Sequence, residues 1–174
     1  MNRTNRMLTF KYVSYALLLI LLYVLQTVPG LFVLFRVKPV WVVSAAIAIA
    51  MMEGEFTGGV YGALAGLLCD MGGFSLFGFK GFFVCICCVG AGLLTIYLMH
   101  NSAWSALLFV LVTLTLTMSL EYYFAYGIWG HDSGWKVYTF QVLPTILYSV
   151  LTAPIPYLIV RRMHRAFAAA LRKL

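Results

Sequence analysis

Four stretches of this sequence, Tyr12–Val28, Gly81–Met99, Ala103–Ile128 and Val137–Val160, are apolar over a length that leaves few folds open. A helix crosses the hydrocarbon of a bilayer with about 20 such residues. No water is present there to satisfy backbone N–H and C=O groups, so a spanning segment is either a helix or a strand of a closed barrel. A barrel strand needs only about ten residues, and these runs are far longer. The expectation is an all-α integral membrane protein. Two shorter runs, Pro39–Met52 and Phe56–Cys69, flank Glu53-Gly54-Glu55. Counted with the others they give about six transmembrane helices, the short pair either extending into their flanks or lying partly re-entrant.

Composition agrees with a lipid environment. Hydrophobic residues make up 63% of the chain and charged residues 10%, against roughly 25% charged in a soluble domain. The basic start followed by Tyr12–Leu25 resembles a signal peptide, but Gln26-Thr27-Val28-Pro29 follows in place of a small-residue cleavage site, so the segment is read as a retained first span. The formal charge of +7 comes largely from the two ends, with Arg3, Arg6 and Lys11 at one and Arg161, Arg162, Arg165, Arg172 and Lys173 at the other. An even number of spans puts both basic termini on the same side, which the positive-inside rule assigns to the cytoplasm. No nucleic-acid-binding motif accompanies the charge, and nucleic acid is not expected as a partner. Trp41, Trp129 and Trp135 are expected at the outer interface and Trp104 at the inner one. Residues 1–160 form a single polytopic domain on this reading, and residues 161–174 a basic amphipathic cytoplasmic tail.

Catalytic chemistry finds no foothold. The three histidines, His100, His131 and His164, all fall at span ends, and no hydrolytic triad, zinc motif or phosphate loop is present. Cys85 and Cys88 have a C-x-x-C spacing without the βαβ context or second ligand pair that redox or metal chemistry needs. They are read as small buried apolar residues, with a redox role as the alternative. No cofactor, no metal and no enzymatic activity are expected.

The candidates for function are therefore packing and contact residues. Gly58, Gly62 and Gly66 recur every fourth position and make one bare stripe along a helix. Lipid provides no hydrophobic push between helices, so close backbone approach through small residues holds them together, within this chain or against a partner. Asp70 ends that span, and an acid so placed faces protein or water. It is an interfacial cap, a partner of Lys80, or a pocket or partner contact. Glu121, in the outer part of the fifth span, either snorkels outward or pairs with Lys80 or Lys136. Glu53 and Glu55 are expected to be solvated on a cytoplasmic turn. In the tail, Met163, Phe167, Ala170, Leu171 and Leu174 share one helical face, with Arg161, Arg165 and Arg172 opposite. Such a helix lies on an anionic leaflet, with a cytoplasmic partner as a further possibility.

Several of these residues carry a resemblance. Gln26-Thr27 closing the first span, Pro39 opening the second, Glu53-Gly54 at the next turn, Gly58–Gly66 leading into Leu67-Leu68-Cys69-Asp70, and Phe77-Gly78 before the fourth span resemble the bacterial rod shape-determining membrane protein family MreD. The resemblance implies a non-enzymatic scaffold subunit of the cell-elongation machinery for peptidoglycan synthesis in the bacterial inner membrane. It also implies association with an MreC-like single-span protein, the MreB filament, RodA and its transpeptidase, and it supplies no catalytic residues. Chains of this kind in turn resemble the six-helix substrate-binding subunits of energy-coupling-factor vitamin transporters. The alternative function is accordingly vitamin binding, with loops Pro29–Lys38, Asp70–Lys80 and Trp129–Lys136 closing over the ligand.

Overall fold

Gly54 is the single residue between two helices. Its φ of +92° lies in the left-handed region that a side chain disfavours, and it lets the chain reverse without a loop. Its N–H still donates to the Ala50 carbonyl at 3.1 Å, while its own carbonyl accepts from Gly58 at 2.9 Å. The two helices it joins sit at the heart of the architecture. The computed structural model describes residues 3–28, 38–72, 78–97, 102–124, 138 and 142–171. Regular structure among them is helical: α1 (Arg3–Thr27), α2 (Trp41–Glu53), α3 (Glu55–Met71), α4 (Phe79–Tyr97), α5 (Ala103–Tyr122), α6 (Leu143–Thr152) and α7 (Pro154–Leu171).

Four helical stretches are long and apolar enough to cross a membrane: Asn5–Thr27, Phe79–Tyr97, Ala103–Tyr122 and Leu143–Ala170. The chain is a multi-pass membrane protein. The last stretch joins α6 and α7 across Ala153, where Pro154 and Pro156 supply no N–H; the Ala153 N–H bonds to Val150 at 3.2 Å instead. Pro144 sits at the first turn of α6, where the missing N–H has no intrahelical partner to lose.

About six spans were expected, the second and third either extended into their flanks or partly re-entrant, and α2 and α3 stay short. They have 13 and 17 residues, so they are about 20 Å and 25 Å long, short of a hydrocarbon core of roughly 30 Å. Yet they run end to end between the same levels as α1. The start of α2 lies beside Gln26 near the end of α1, and its last residue, Glu53, lies beside Lys11. α3 then returns to place Cys69 by Gln26. Burial explains why α2 can be so short. Eleven of its thirteen residues, Trp41 through Met51, are buried, so α2 is walled off from lipid by its neighbours and need not match the bilayer thickness. Its Ser44-Ala45-Ala46-Ile47-Ala48-Ile49-Ala50 run keeps the side chains small enough for α1, α3, α4, α5, α6 and α7 all to pack on it.

The six passages alternate in direction, counting α6 and α7 as one. The described start of α1 and end of α7 therefore meet at the same end of the bundle, where the Phe10 and Phe167 rings pack edge to face with centroids 6.0 Å apart. Trp104, at the start of α5 near that end, is 81% exposed, as an interfacial tryptophan would be. Trp41, at the start of α2 at the opposite end, is buried, and Trp129 and Trp135 lie outside the described residues.

Candidate functional site: two polar layers and a cavity

Lys11, Tyr15, Leu18, Leu19 and Leu22 recur at three- and four-residue steps and form the buried stripe of α1. A lysine on such a stripe needs a partner, and α2 supplies it. Lys11 Nζ lies 2.6 Å from Glu53 Oε1 and 2.7 Å from Oε2. The Tyr15 hydroxyl donates to Oε1 at 2.9 Å, and His164 Nδ1 of α7 lies 2.6 Å from the same oxygen. The Glu53 side chain is 8% exposed and that of Lys11 10%. The expectation that Glu53 is solvated on a turn is therefore corrected: the acid is buried where α1, α2 and α7 meet. Glu55, two residues on, is exposed. The same layer extends through Tyr61, whose hydroxyl donates to the Tyr12 carbonyl at 2.7 Å and whose ring meets Tyr15 edge to face. Within one turn of His164, Arg161 lies over the Tyr157 ring, while Arg162 and Arg165 are exposed. The boundary expected at Arg161 falls inside α7, which runs unbroken through Phe167; Arg172 lies outside the described residues.

Between the layers the glycine stripe is filled from within the chain. A methyl group on Gly58 would overlap Ala50 of α2. On Gly62 it would come within 2.8 Å of Cys88 Cβ and Sγ, and on Gly66 within 2.5 Å of Gly81 Cα and 2.6 Å of the Lys80 carbonyl, both in α4. α4 answers with Gly92, where a methyl group would come within 2.9 Å of the Glu55 backbone. Cys88 is thus a packing residue against Gly62. All four cysteines are free, and among the described residues no group of three His, Cys, Asp or Glu is placed to hold a metal ion.

The second polar layer lies at the opposite end. Asp70, 3% exposed, accepts hydrogen bonds from the backbone N–H groups of Gly78 (2.9 Å), Lys80 (3.4 Å) and Gly81 (3.3 Å). Of the roles open to it, the capping one is the one its geometry displays: the carboxylate occupies the N-terminal end of α4, satisfying orphan donors where the helix dipole favours negative charge. Lys80 turns to Glu121 instead, Nζ to Oε1 at 2.9 Å, and both are partly exposed. Gln26 completes the layer, its Oε1 accepting from Val42 N–H at 3.4 Å. The Val40 N–H, just ahead of α2, donates to Ser149 Oγ of α6 at 2.9 Å.

At this end a cavity of about 210 Å³ opens among α1 to α5, with Tyr23, Gln26, Lys38, Lys80, Val84 and Leu114 in its wall. Of the three loops expected to close over a ligand, most residues lie outside the described ones. Of the loop residues that are described, Lys38, Gly72 and Lys80 border this cavity. His100, His131, Arg36 and Lys136 also lie outside the described residues.

Residues 6–167 match the model of the family described as rod shape-determining protein MreD. No curated protein and no solved structure matches the chain. The expected likeness to vitamin-transporter subunits thus finds no support among solved folds.

Proposed function

We infer from one premise, that this chain belongs to the MreD family of rod shape-determining proteins, that it is a membrane scaffold holding partners of the cell-elongation machinery together through helix packing. Membership carries a role in rod shape and cell elongation, as a non-enzymatic membrane protein associated with that machinery. The scaffold mechanism and the individual partners are the proposed part. One observation supports it above others: the buried polar chemistry is spent on assembly. Glu53 ties three helices, Asp70 caps a fourth, and Glu121 joins α5 to Lys80 of α4. Apolar faces of α1 and α5, including Leu17, Ile20, Leu108 and Val112, are meanwhile exposed and available to lipid or to a partner's span.

The proposed partners are an MreC-like single-span protein, then MreB, RodA and its transpeptidase, with anionic lipid beneath the basic end of α7. The termini are placed in the cytoplasm of a bacterial inner membrane, because the clustered basic residues lie at that end. Crosslinking in native membranes, followed by purification of the full chain and identification of what accompanies it, tests the reading. Recovery of MreC, RodA or the transpeptidase is the expected result. A second reading, small-molecule capture for a transporter, is favoured by the cavity alone. Recovery of paired transporter ATPases without elongation proteins would overturn the scaffold in its favour.

A further inference from the structure

The cavity at the Asp70 end carries an imbalance of charge and of hydrogen-bonding groups. Two lysines border it. Lys80 is neutralised by Glu121 at 2.9 Å. Lys38 has no carboxylate partner among the described residues; its ammonium reaches the Thr27 carbonyl at 3.4 Å. Asp70, the other described acid at this end, is occupied by three backbone N–H groups of the α4 start. Gln26 adds to the imbalance. Its oxygen is engaged by Val42 N–H, while its Nε2 has a contact of 4.0 Å with Cys69 Sγ, too long and too soft to satisfy an amide donor. The wall therefore presents an ammonium without a carboxylate partner among the described residues and an amide N–H whose contact is a long one to sulfur. Beneath them Val43, Val84 and Leu114 make an apolar floor.

We propose that this cavity binds an acidic group, phosphate or carboxylate, carried on a short three-carbon body, with Lys38 and Gln26 holding the acid and the valine and leucine floor packing on the carbon chain of the body. Size sets the class. A volume of about 210 Å³ equals that of about seven waters, below the usual range for drug-sized ligands, and suits a group the size of glycerol phosphate. Position sets the source to two. Thr27 ends α1 and Lys38 lies just before α2, so the mouth lies where the chain reaches the membrane surface. An anionic lipid headgroup and a small dissolved anion both reach that level. The inference stands independently of the scaffold reading, since it concerns a ligand and not a protein partner.

The test uses the purified full chain in phosphatidylcholine nanodiscs, with phosphatidylglycerol as the lipid probe and glycerol phosphate as the soluble one. Retained phosphatidylglycerol is counted by native mass spectrometry, and solute binding is read from the thermal unfolding midpoint. Lys38→Gln removes the unpaired charge at an exposed position, Thr117→Leu fills the cavity from α5, and Arg162→Gln removes an exposed charge at the opposite end. The wild type and Arg162→Gln are expected to bind one of the probes, and Lys38→Gln to bind it about tenfold more weakly, as for loss of a charged hydrogen bond. Thr117→Leu should match that loss with its own unfolding midpoint preserved. Retention of phosphatidylglycerol identifies a headgroup, and a shifted midpoint with glycerol phosphate alone identifies a soluble anion. Equal binding by wild type and Lys38→Gln, or binding of neither probe, overturns the proposal.

Discussion

Lys11 Nζ and Glu53 Oε1 are 2.6 Å apart, joining the early part of α1 to the last residue of α2 across 42 positions of sequence. Neither side chain is more than 10% exposed, so each ion depends on the other. Removing one member of a buried pair leaves an uncompensated charge, which costs about 3–5 kcal/mol, whereas replacing both is often close to neutral. Lys11→Met is therefore expected to destabilise the protein by about that amount. Lys11→Met with Glu53→Gln should recover most of the loss, because Gln still serves Tyr15 and His164. A double-mutant cycle of unfolding in detergent measures the coupling; additive effects would show that the pair does not act as a unit.

The glycines of α3 and α4 differ in what surrounds them. Gly66→Ala would press a methyl against the Gly81 and Lys80 backbone, which cannot rotate away, and is expected to cost about 1–3 kcal/mol. Gly90→Ala meets nothing within 4 Å and should stabilise the helix by about 0.5–1 kcal/mol, since glycine inside a helix loses more backbone freedom than alanine. Gly62→Leu should prevent close approach of α3 and α4 and lower the yield of folded protein. Size-exclusion profiles and unfolding midpoints distinguish the three, and wild-type behaviour of Gly62→Leu would contradict the packing described.

Asp70 acts on α4 through backbone donors. Asp70→Ala exposes three N–H groups in a nearly closed site and is expected to cost about 2 kcal/mol, at the upper end for a lost cap. Asp70→Asn keeps one acceptor oxygen and should cost less. Hydrogen exchange at the Gly78, Lys80 and Gly81 amides is the direct check: it should accelerate in Asp70→Ala, and unchanged protection there would refute the capping role.

The far end of α7 is held partly by aromatic contact. Deleting Phe167–Leu174 removes the ring that packs on Phe10 but leaves His164 on Glu53. The shortened protein should remain inserted, with a loss of about 0.5–1.5 kcal/mol from the missing ring pair and weaker binding of any cytoplasmic partner. Membrane fractionation and partner recovery check the two halves of this prediction, and failure to insert would mean that the segment does more than pack.

The resemblance read from Glu53-Gly54, Gly58–Gly66 and Asp70 led to the family that residues 6–167 match. The roles of those same residues were less legible. Glu53 sits beside a glycine turn and a second acid, which suggested solvent, and nothing local distinguishes it from the exposed Glu55. The available signal was Lys11 four residues before Tyr15 on an otherwise apolar helical face, a cation that needed an anion from elsewhere. For Asp70, chain proximity to Lys80 suggested an ion pair, but its carboxylate is taken by α4 N–H groups and the Lys80 ammonium goes to Glu121.

Sequence alone determined that this is a helical membrane protein, because every backbone hydrogen bond in lipid must close locally and long apolar runs allow that only as helices. It also determined where the chain turns, since glycine and proline impose their limits on their own neighbours. The tertiary structure decided that a 13-residue helix can stand at the centre, shielded from lipid by the others. It decided as well that Glu53 meets His164 across 111 positions, and that a cavity forms among five helices. Those outcomes depend on which faces meet when helices pack, and in lipid that choice rests on close fit and polar pairing between distant residues, neither of which a local pattern encodes.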